Sequence, residues 1–232
     1  PHHGLATLTY LSDGGTEHRD NLGSVQTIRP GDVNWMTAGR GIAHSERTPA
    51  VERAAGHAMH GIQTWVALPQ HAEEVAPSFH HHPARDLPQL DRDGVRLRLI
   101  AGNAFGERSP VTTFSEMFYL AAEFSAASAM TLPPEHVERA LYSTDAGLLV
   151  GGGEVPAGHL AVLPPGENVE IRANAATRVL LLGGAPLDGE RHLWWNFVSS
   201  SRERIERAKA EWKSGQFAQV AGETEFIPLP ES

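Results

Sequence analysis

The 232-residue sequence contains no cysteine. Disulfide bonds, thiolate-bound zinc and cysteine nucleophiles are therefore excluded, and a reducing cytoplasm is the simplest location to expect. The sequence also lacks any apolar run approaching the ~20 residues of a membrane-spanning helix, so we expect no membrane association. A secretory signal is not evident either, although the first residue is proline rather than methionine.

Basic residues are scarce relative to acidic ones. Lysine and arginine together number 19 against 28 aspartates and glutamates, which gives a formal net charge of −9 with the 13 histidines counted as neutral. Because phosphate binding requires a basic surface, we expect no direct binding to nucleic acid. The length permits one large domain or two small ones, each with a substantial core.

Turn-forming residues are abundant, with 23 glycines and 16 prolines. This composition favours many short strands over long helices. Residues 5–10, 61–69 and 94–102 are among the segments with strand-like alternation, whereas residues 70–88 are rich in proline, histidine and acid and are predicted to form a connecting loop. The sequence therefore predicts an all-β fold.

A helix is predicted only near the end of the chain. Ser200 and Glu203 have the spacing of a capping box, and Gly215 is well placed to end the helix. Ile205 and Trp212 fall on one helical face together with Ala208, so this face is expected to pack on a sheet.

A histidine and a glutamate stand two positions apart in the stretch AGRGIAHSERTP, residues 38–49. In a strand, residues i and i+2 point to the same face, so His44 and Glu46 would project together. Imidazole with one carboxylate is the donor set of non-haem iron sites that keep open coordination positions. The spacing alone is permissive, however, and a surface pair is the more common outcome for it.

Three other features have simpler interpretations than a functional one. The tract His80-His81-His82 lies in the predicted loop, and His136 has no second histidine at ligand spacing, so both are expected to be structural. Trp194 and Trp195 are expected to anchor the terminal segment. A short similarity between residues 10–13 and 142–145, each followed by a Pro-Gly turn, indicates either two copies of one β-unit or chance.

The segments PHHGLATLTY and RPGDVNWMTAGRGIAHSERTP, with ERALY and the terminal WWNFVSSSRERIERAKAEWKSGQF, resemble the pirin family of the cupin superfamily. The resemblance implies two antiparallel cupin β-barrels, a bicupin, followed by a C-terminal helix. We expect a metal-binding N-terminal barrel with its connecting loop over residues 1–111. A degenerate barrel without metal would occupy residues 112–190, and a helical tail packed on the barrels would occupy residues 191–232.

Pirins hold one metal ion, usually iron, through a His-x-His and a His-x-Glu motif. Carried over to this sequence, the resemblance implies that His2, His44 and Glu46 are metal ligands. The other histidine of the first motif would lie immediately before residue 1, and His3 should point to the opposite face from His2. We therefore expect one Fe(II) per chain, with other divalent metals possible, and a chain that truly starts at residue 1 could lack metal.

The resemblance also implies an activity. Pirins are similar to quercetin 2,3-dioxygenases, which open the central ring of a flavonol with dioxygen and release carbon monoxide, and Glu46 would be the general base. The alternative is a non-catalytic, iron-binding redox sensor that acts as a regulatory protein partner of a transcription factor or a metabolic enzyme. The sequence leaves open whether the protein is an enzyme, and we expect a cytoplasmic monomer.

Overall fold

The computed structural model describes residues 1–231, which are mainly β-strand. The strands are β1 (Leu5–Asp13), β2 (Thr16–Asp20), β3 (Val25–Ile28), β4 (Val33–Thr37), β5 (His44–Arg47), β6 (His60–Ala67), β7 (Ser78–His82), β8 (Gln89–Arg92), β9 (Val95–Ala104), β10 (Glu107–Arg108), β11 (Met117–Phe124), β12 (Ser128–Leu132), β13 (Glu138–Ser143), β14 (Leu148–Val150), β15 (Gly153–Val155), β16 (Leu160–Val162), β17 (Val169–Ala173), β18 (Thr177–Gly184), β19 (His192–Trp194) and β20 (Phe197–Ser199). The α-helices are α1 (Ala50–Ala55) and α2 (Arg202–Lys213), and short 3₁₀ turns cover Gln70–Ala72 and Ala84–Asp86. Neither of these helices is long and apolar enough to cross a membrane.

The chain divides into two compact units, Pro1–Ala84 with Leu187–Ser232, and Arg85–Pro186. Pairs of these strands run antiparallel throughout the described residues, which confirms the predicted all-β fold with a C-terminal helix. Strand β9 belongs to the second unit because it is hydrogen-bonded to β11 along most of its length. The domain limits at 111 and 190, drawn from sequence motifs, stay a prediction.

The first unit contains two main sheets with the strand orders β6-β1-β4-β7 and β3-β2-β5. Strand β1 is central in the larger sheet and is buried at almost every position, because both of its faces are covered. Leu8, at its middle, pairs with Trp35 on one side and with Thr64 on the other. This arrangement places β6 and the β2–β5 pair, which carry polar side chains, in the same unit.

The prediction of a loop over residues 70–88 was wrong for Ser78–His82, which form strand β7. This strand pairs with β4, with His80 opposite Trp35 and His81 opposite Asn34. It lies at the end of the sheet order, where one side of the strand is unpaired and polar side chains are tolerated, so alternating apolar residues are not required. His81 Nδ1 is hydrogen-bonded to Asn34 Oδ1 at 2.8 Å.

The second unit has an apolar core between its two larger sheets. The sheet orders are β10-β9-β11-β18-β13-β16, with β8 beside β9, and β12-β17-β14-β15. Leu99, Leu120, Leu141 and Leu181 are fully buried in one hydrophobic cluster. His136 is buried at the edge of this core, and its Nε2 is hydrogen-bonded to the Asn103 carbonyl oxygen at 2.8 Å. These contacts are those of a structural histidine.

Helix α2 follows its predicted pattern with one difference at its start. The N-cap is Ser201, whose Oγ accepts a hydrogen bond from the backbone N–H of Arg204, so the predicted cap at Ser200 was wrong by one residue. Ser200 instead donates from its backbone and hydroxyl to the carboxylate of Glu73. The apolar face of α2 packs as expected. Ile205 and Ala208 are buried against Phe197, and Trp212 packs on the same cluster.

Candidate metal centre

A glycine-rich turn sets the start of β5 and hence the position of His44. Gly39 has φ 50°, and a Cβ there would lie 2.1 Å from the carbonyl oxygen of Val75. Gly41 has φ 142°, and a Cβ there would lie 3.0 Å from the ring of Phe217. Position 39 therefore requires glycine, because a side chain would be strained and would collide with backbone, and a side chain at position 41 would be strained by its positive φ.

Strand β5 carries its polar side chains on two faces. His44 and Glu46 point to one face, as the two-residue period predicts, and Ser45 and Arg47 point to the other. The antiparallel neighbour β2 places His18 directly opposite Glu46. Ligand atoms of His18, His44 and Glu46 lie within 4.8 Å of one another, so these three side chains form a group that could hold a metal ion.

His2 joins this group through the backbone of residue 42. The amide N–H of His2 donates to the Ile42 carbonyl at 2.8 Å, and the Ile42 amide donates back to His2 at 3.0 Å. This pairing brings His2 Nε2 to 3.0 Å from His44 Nε2. His3 turns the other way, as expected, and its ring nitrogens contact Val198 O at 3.1 Å and Glu74 Oε1 at 2.9 Å.

His18 is the member of the cluster that the sequence did not predict. Its Nε2 lies 3.1 Å from Asp20 Oδ2, and its ring stacks on Phe79 with centroids 4.1 Å apart. The sequence of β2 does contain an indication of this position, because the polar residues Thr16, His18 and Asp20 occupy every second position and lie on its buried face. Polar side chains at every second buried position need partners, which is an indication of a site.

Glu46 is held by two side chains from the neighbouring sheet. Gln63 Nε2 lies 2.9 Å from Glu46 Oε1 and 3.1 Å from Oε2, and Thr9 Oγ1 donates to Oε1 at 3.4 Å. Thr9 and Gln63 are directly opposite each other in the β1–β6 register. The carboxylate therefore has a fixed orientation, which the sequence motif around residue 46 does not reveal.

Burial controls the charge of this cluster. Desolvation lowers the pKa of His2 to about 3, and it lowers the pKa of His44 well below the ordinary value, with His2 and His18 adding to the effect. The pKa of His18 is lowered by burial against the opposing effect of Asp20. Glu46 is open to a cavity, but the enclosing walls still raise its pKa, while Gln63 and Thr9 act in the opposite direction.

The cluster faces a cavity of about 530 Å³ in the first unit. Trp65 lies at its wall and meets the ring of His2 edge to face, with centroids 5.2 Å apart. Trp195 packs on Phe197, in agreement with its predicted anchoring role. It also lines the cavity, which the sequence did not predict. The volume is within the ~300–1,000 Å³ range of small-molecule pockets.

The donors present fit a divalent metal. Nδ1 of His44 is buried with no hydrogen-bond partner among the described residues, so the His44 ring is not fixed by a bond at that nitrogen. The Nε2 atoms of His2 and His44 face each other. A metal ion could bind between them and accept a lone pair from each, in place of the hydrogen bond that they share. Burial keeps both imidazoles neutral, which is the state that binds metal.

Two antiparallel sheet units, with a histidine and glutamate cluster in the first, define a protein of the cupin class. The pirin family model matches residues 1–66, and the model of the pirin C-terminal cupin domain matches residues 119–218. The chain belongs to the pirin family. It is 49% identical over 234 residues to a pirin-like protein of Caulobacter vibrioides, covering 100% of this chain and 80% of that protein.

Solved structures agree with this assignment. A crystal structure of quercetin 2,3-dioxygenase from Acinetobacter baumannii has a TM-score of 0.91 and 33% identity, and the match covers 100% of this chain and 77% of that one. A bacterial pirin, YhhW from Escherichia coli, solved in complex with nickel(II), has a TM-score of 0.64 at 18% identity, covering 80% of this chain and 75% of that one. The second likeness shows the shared fold.

Proposed function

We propose that this protein is a metal-dependent dioxygenase that opens a flavonol-type ring, with the metal held in the first unit by His2, His44 and Glu46. The observation that carries the proposal is the convergence of these three side chains at the wall of one cavity, with His18 beside His44 and Glu46. The family relationship and the structural likeness to a quercetin 2,3-dioxygenase support this choice of chemistry.

The donor set favours iron without excluding other divalent metals. Neutral imidazoles with one carboxylate suit Fe(II), and they also accept Mn(II), Ni(II), Cu(II) or Zn(II). When bound, an iron ion would supply open coordination positions and the electron exchange that dioxygen chemistry requires. Metal identity is therefore a quantity to measure.

The chain's own residues would orient the substrate and move one proton. Trp65 offers a flat apolar surface at the cavity wall, which suits a planar ring system. Glu46 would take the proton of the flavonol 3-hydroxyl at Oε2, which accepts from Gln63, while Oε1 accepts from both Gln63 and Thr9.

Oxygen consumption with quercetin tests this function directly. Iron-loaded protein should consume one dioxygen per quercetin and release one carbon monoxide, and Glu46→Gln should lower kcat by about 10²-fold or more. Glu17→Gln is the matched control, because Glu17 lies on β2 and pairs with Arg19 at 2.7 Å outside the cluster. Metal-loaded protein that consumes no oxygen with any flavonol would overturn the proposal and would favour the regulatory alternative.

A further inference from the structure

The segment after α2, residues 215–227, lies along the strand that carries the candidate ligands; we call it the C-terminal strap. Arg47 Nη2 contacts Glu223 Oε2 at 2.7 Å and Glu225 Oε2 at 2.8 Å, and Arg47 Nε contacts Glu223 Oε1 at 3.3 Å. Ser45 Oγ donates to Glu223 Oε1 at 2.6 Å. Four contacts therefore converge from two residues of β5 on two glutamates of the strap.

The alternation of β5 connects this clamp to the cluster. Ser45 and Arg47 point to the strap, while their neighbours His44 and Glu46 point to the candidate metal position. One short strand thus fixes the cluster and the strap relative to each other. The side chain of Glu223 is only 15% exposed, so its pair with Arg47 is more enclosed than an ordinary surface ion pair.

Aromatic contacts hold the other side of the strap. Trp212 Nε1 donates to the carbonyl oxygen of Ile227 at 2.9 Å, and the Trp212 ring stacks on Phe226 with centroids 4.7 Å apart. Phe217 meets Trp212 edge to face at 5.5 Å. The strap is therefore attached to α2 by rings and to β5 by charges.

The strap forms part of the cavity wall next to the cluster. Phe217, Phe226 and Ile227 line the cavity together with Trp65 and Glu46. We propose that the C-terminal strap is a specificity-determining wall of this cavity, closed by the Arg47 clamp, and that it selects a planar aromatic ligand. This inference rests on the proposed function insofar as that ligand is the substrate.

Charge reversal at the clamp tests the strap. Glu223→Lys with Glu225→Lys would repel Arg47. Glu223→Gln with Glu225→Gln would only weaken the clamp, because each amide loses the charge and one acceptor oxygen but keeps the other oxygen as an acceptor. Glu190→Lys with Glu206→Lys is the matched control, because both glutamates are highly exposed and neither lines the cavity. Melting temperature is measured for every variant, and the glutamine pair decides the question if the lysine pair does not fold.

Binding is measured without oxygen on Fe(II)-loaded protein, so turnover is not required. The Kd for quercetin should rise about tenfold in the lysine pair and about threefold in the glutamine pair, while the Kd for azide, a small probe, stays within about twofold. The rate of iron removal by a chelator should increase at least about threefold, because the wall no longer shields the cluster.

The outcomes separate this inference from the proposed function. Unchanged quercetin affinity in the folded clamp variants would overturn the strap inference, even if the protein is an active dioxygenase. Weaker quercetin binding in the clamp variants alone supports it, even if no turnover is found. If no variant binds quercetin, the chelator rate decides: faster release supports the strap as a wall, and an unchanged rate overturns it.

Discussion

The side-chain amide of Gln63 contacts both carboxylate oxygens of Glu46, at 2.9 Å and 3.1 Å. The same nitrogen lies 3.0 Å from Thr9 Oγ1. Gln63 and Glu46 belong to different sheets of the first unit, so this contact joins the sheets at the candidate metal position. A residue that orients a ligand in this way influences metal binding without touching the metal.

Replacement of Gln63 by leucine should weaken metal binding by roughly 10- to 100-fold. The variant leaves Glu46 with the single 3.4 Å bond from Thr9, so the carboxylate loses its fixed orientation. Metal titration of the apoprotein measures the effect, and Gln26→Leu is the control because the Gln26 amide donates to the neighbouring Thr27 carbonyl, outside the cluster. A metal Kd within twofold of the parent protein would show that Gln63 does not position Glu46.

His18 should matter for metal binding more than the histidine tract that is prominent in the sequence. His18→Gln is expected to lower metal affinity at least about tenfold, because the ring is buried within the cluster and fixed by Asp20. His80→Gln should leave metal affinity unchanged, because His80 is an exposed side chain on β7. Equal losses in the two variants would indicate a general effect of histidine removal.

The contrast between these two histidines shows what the sequence could and could not predict. The two-residue period of a strand predicts that His44 and Glu46 share a face, since the information is local. The alternation of polar residues in β2 marks His18 as a candidate, but its contribution to this cluster depends on the pairing of β2 with β5, which is non-local. The contact of Gln63 with Glu46 likewise requires two sheets to meet.

Predictions from local sequence patterns were correct for some other elements and wrong for others, in each case for a physical reason. The apolar face of α2 was predicted correctly because Ile205 and Ala208 follow the helical period and are buried. The cap was misplaced by one residue because Ser200 and Ser201 both have capping chemistry, and the contact of Ser200 with Glu73 decides between them. Strand β7 was missed because edge strands tolerate polar side chains.

The clamp on the strap should depend on pH in a defined window. Hydrogen bonds from Arg47 and Ser45 lower the pKa of Glu223 from 4.5 to about 2. Because the folded-state pKa is below the unfolded value, the stabilisation is fully present above pH 4.5 and is lost as the pH falls toward 2. The clamp should therefore be insensitive to pH between 5 and 8.

A comparison of melting temperatures checks this window. The parent protein should melt above Glu223→Gln at every pH above 4.5, and the difference should shrink progressively as the pH falls from 4.5 toward 2. Glu206→Gln, which removes an exposed pair with Lys209, controls for loss of a surface charge. A parent-minus-variant difference that grows on acidification would contradict the assigned sign.

The apolar core of the second unit should contribute stability and no metal ligand. Leu181 is fully buried in the hydrophobic cluster of that unit, so Leu181→Ala should lower the free energy of unfolding by about 2–5 kcal/mol through lost burial and a residual cavity. Leu160→Ala, at a position 57% exposed on β16, should change it by less than about 0.5 kcal/mol. Urea denaturation measures both variants.

Metal content of the same two variants separates the roles of the units. His2, His18, His44 and Glu46 all belong to the first unit, so Leu181→Ala should retain the metal stoichiometry of the parent protein while it loses stability. Elemental analysis of folded protein below its melting temperature measures this. A stoichiometry that falls in Leu181→Ala but not in Leu160→Ala would mean that metal binding in the first unit requires an intact second unit. The second unit would then contribute to metal binding as well as to stability.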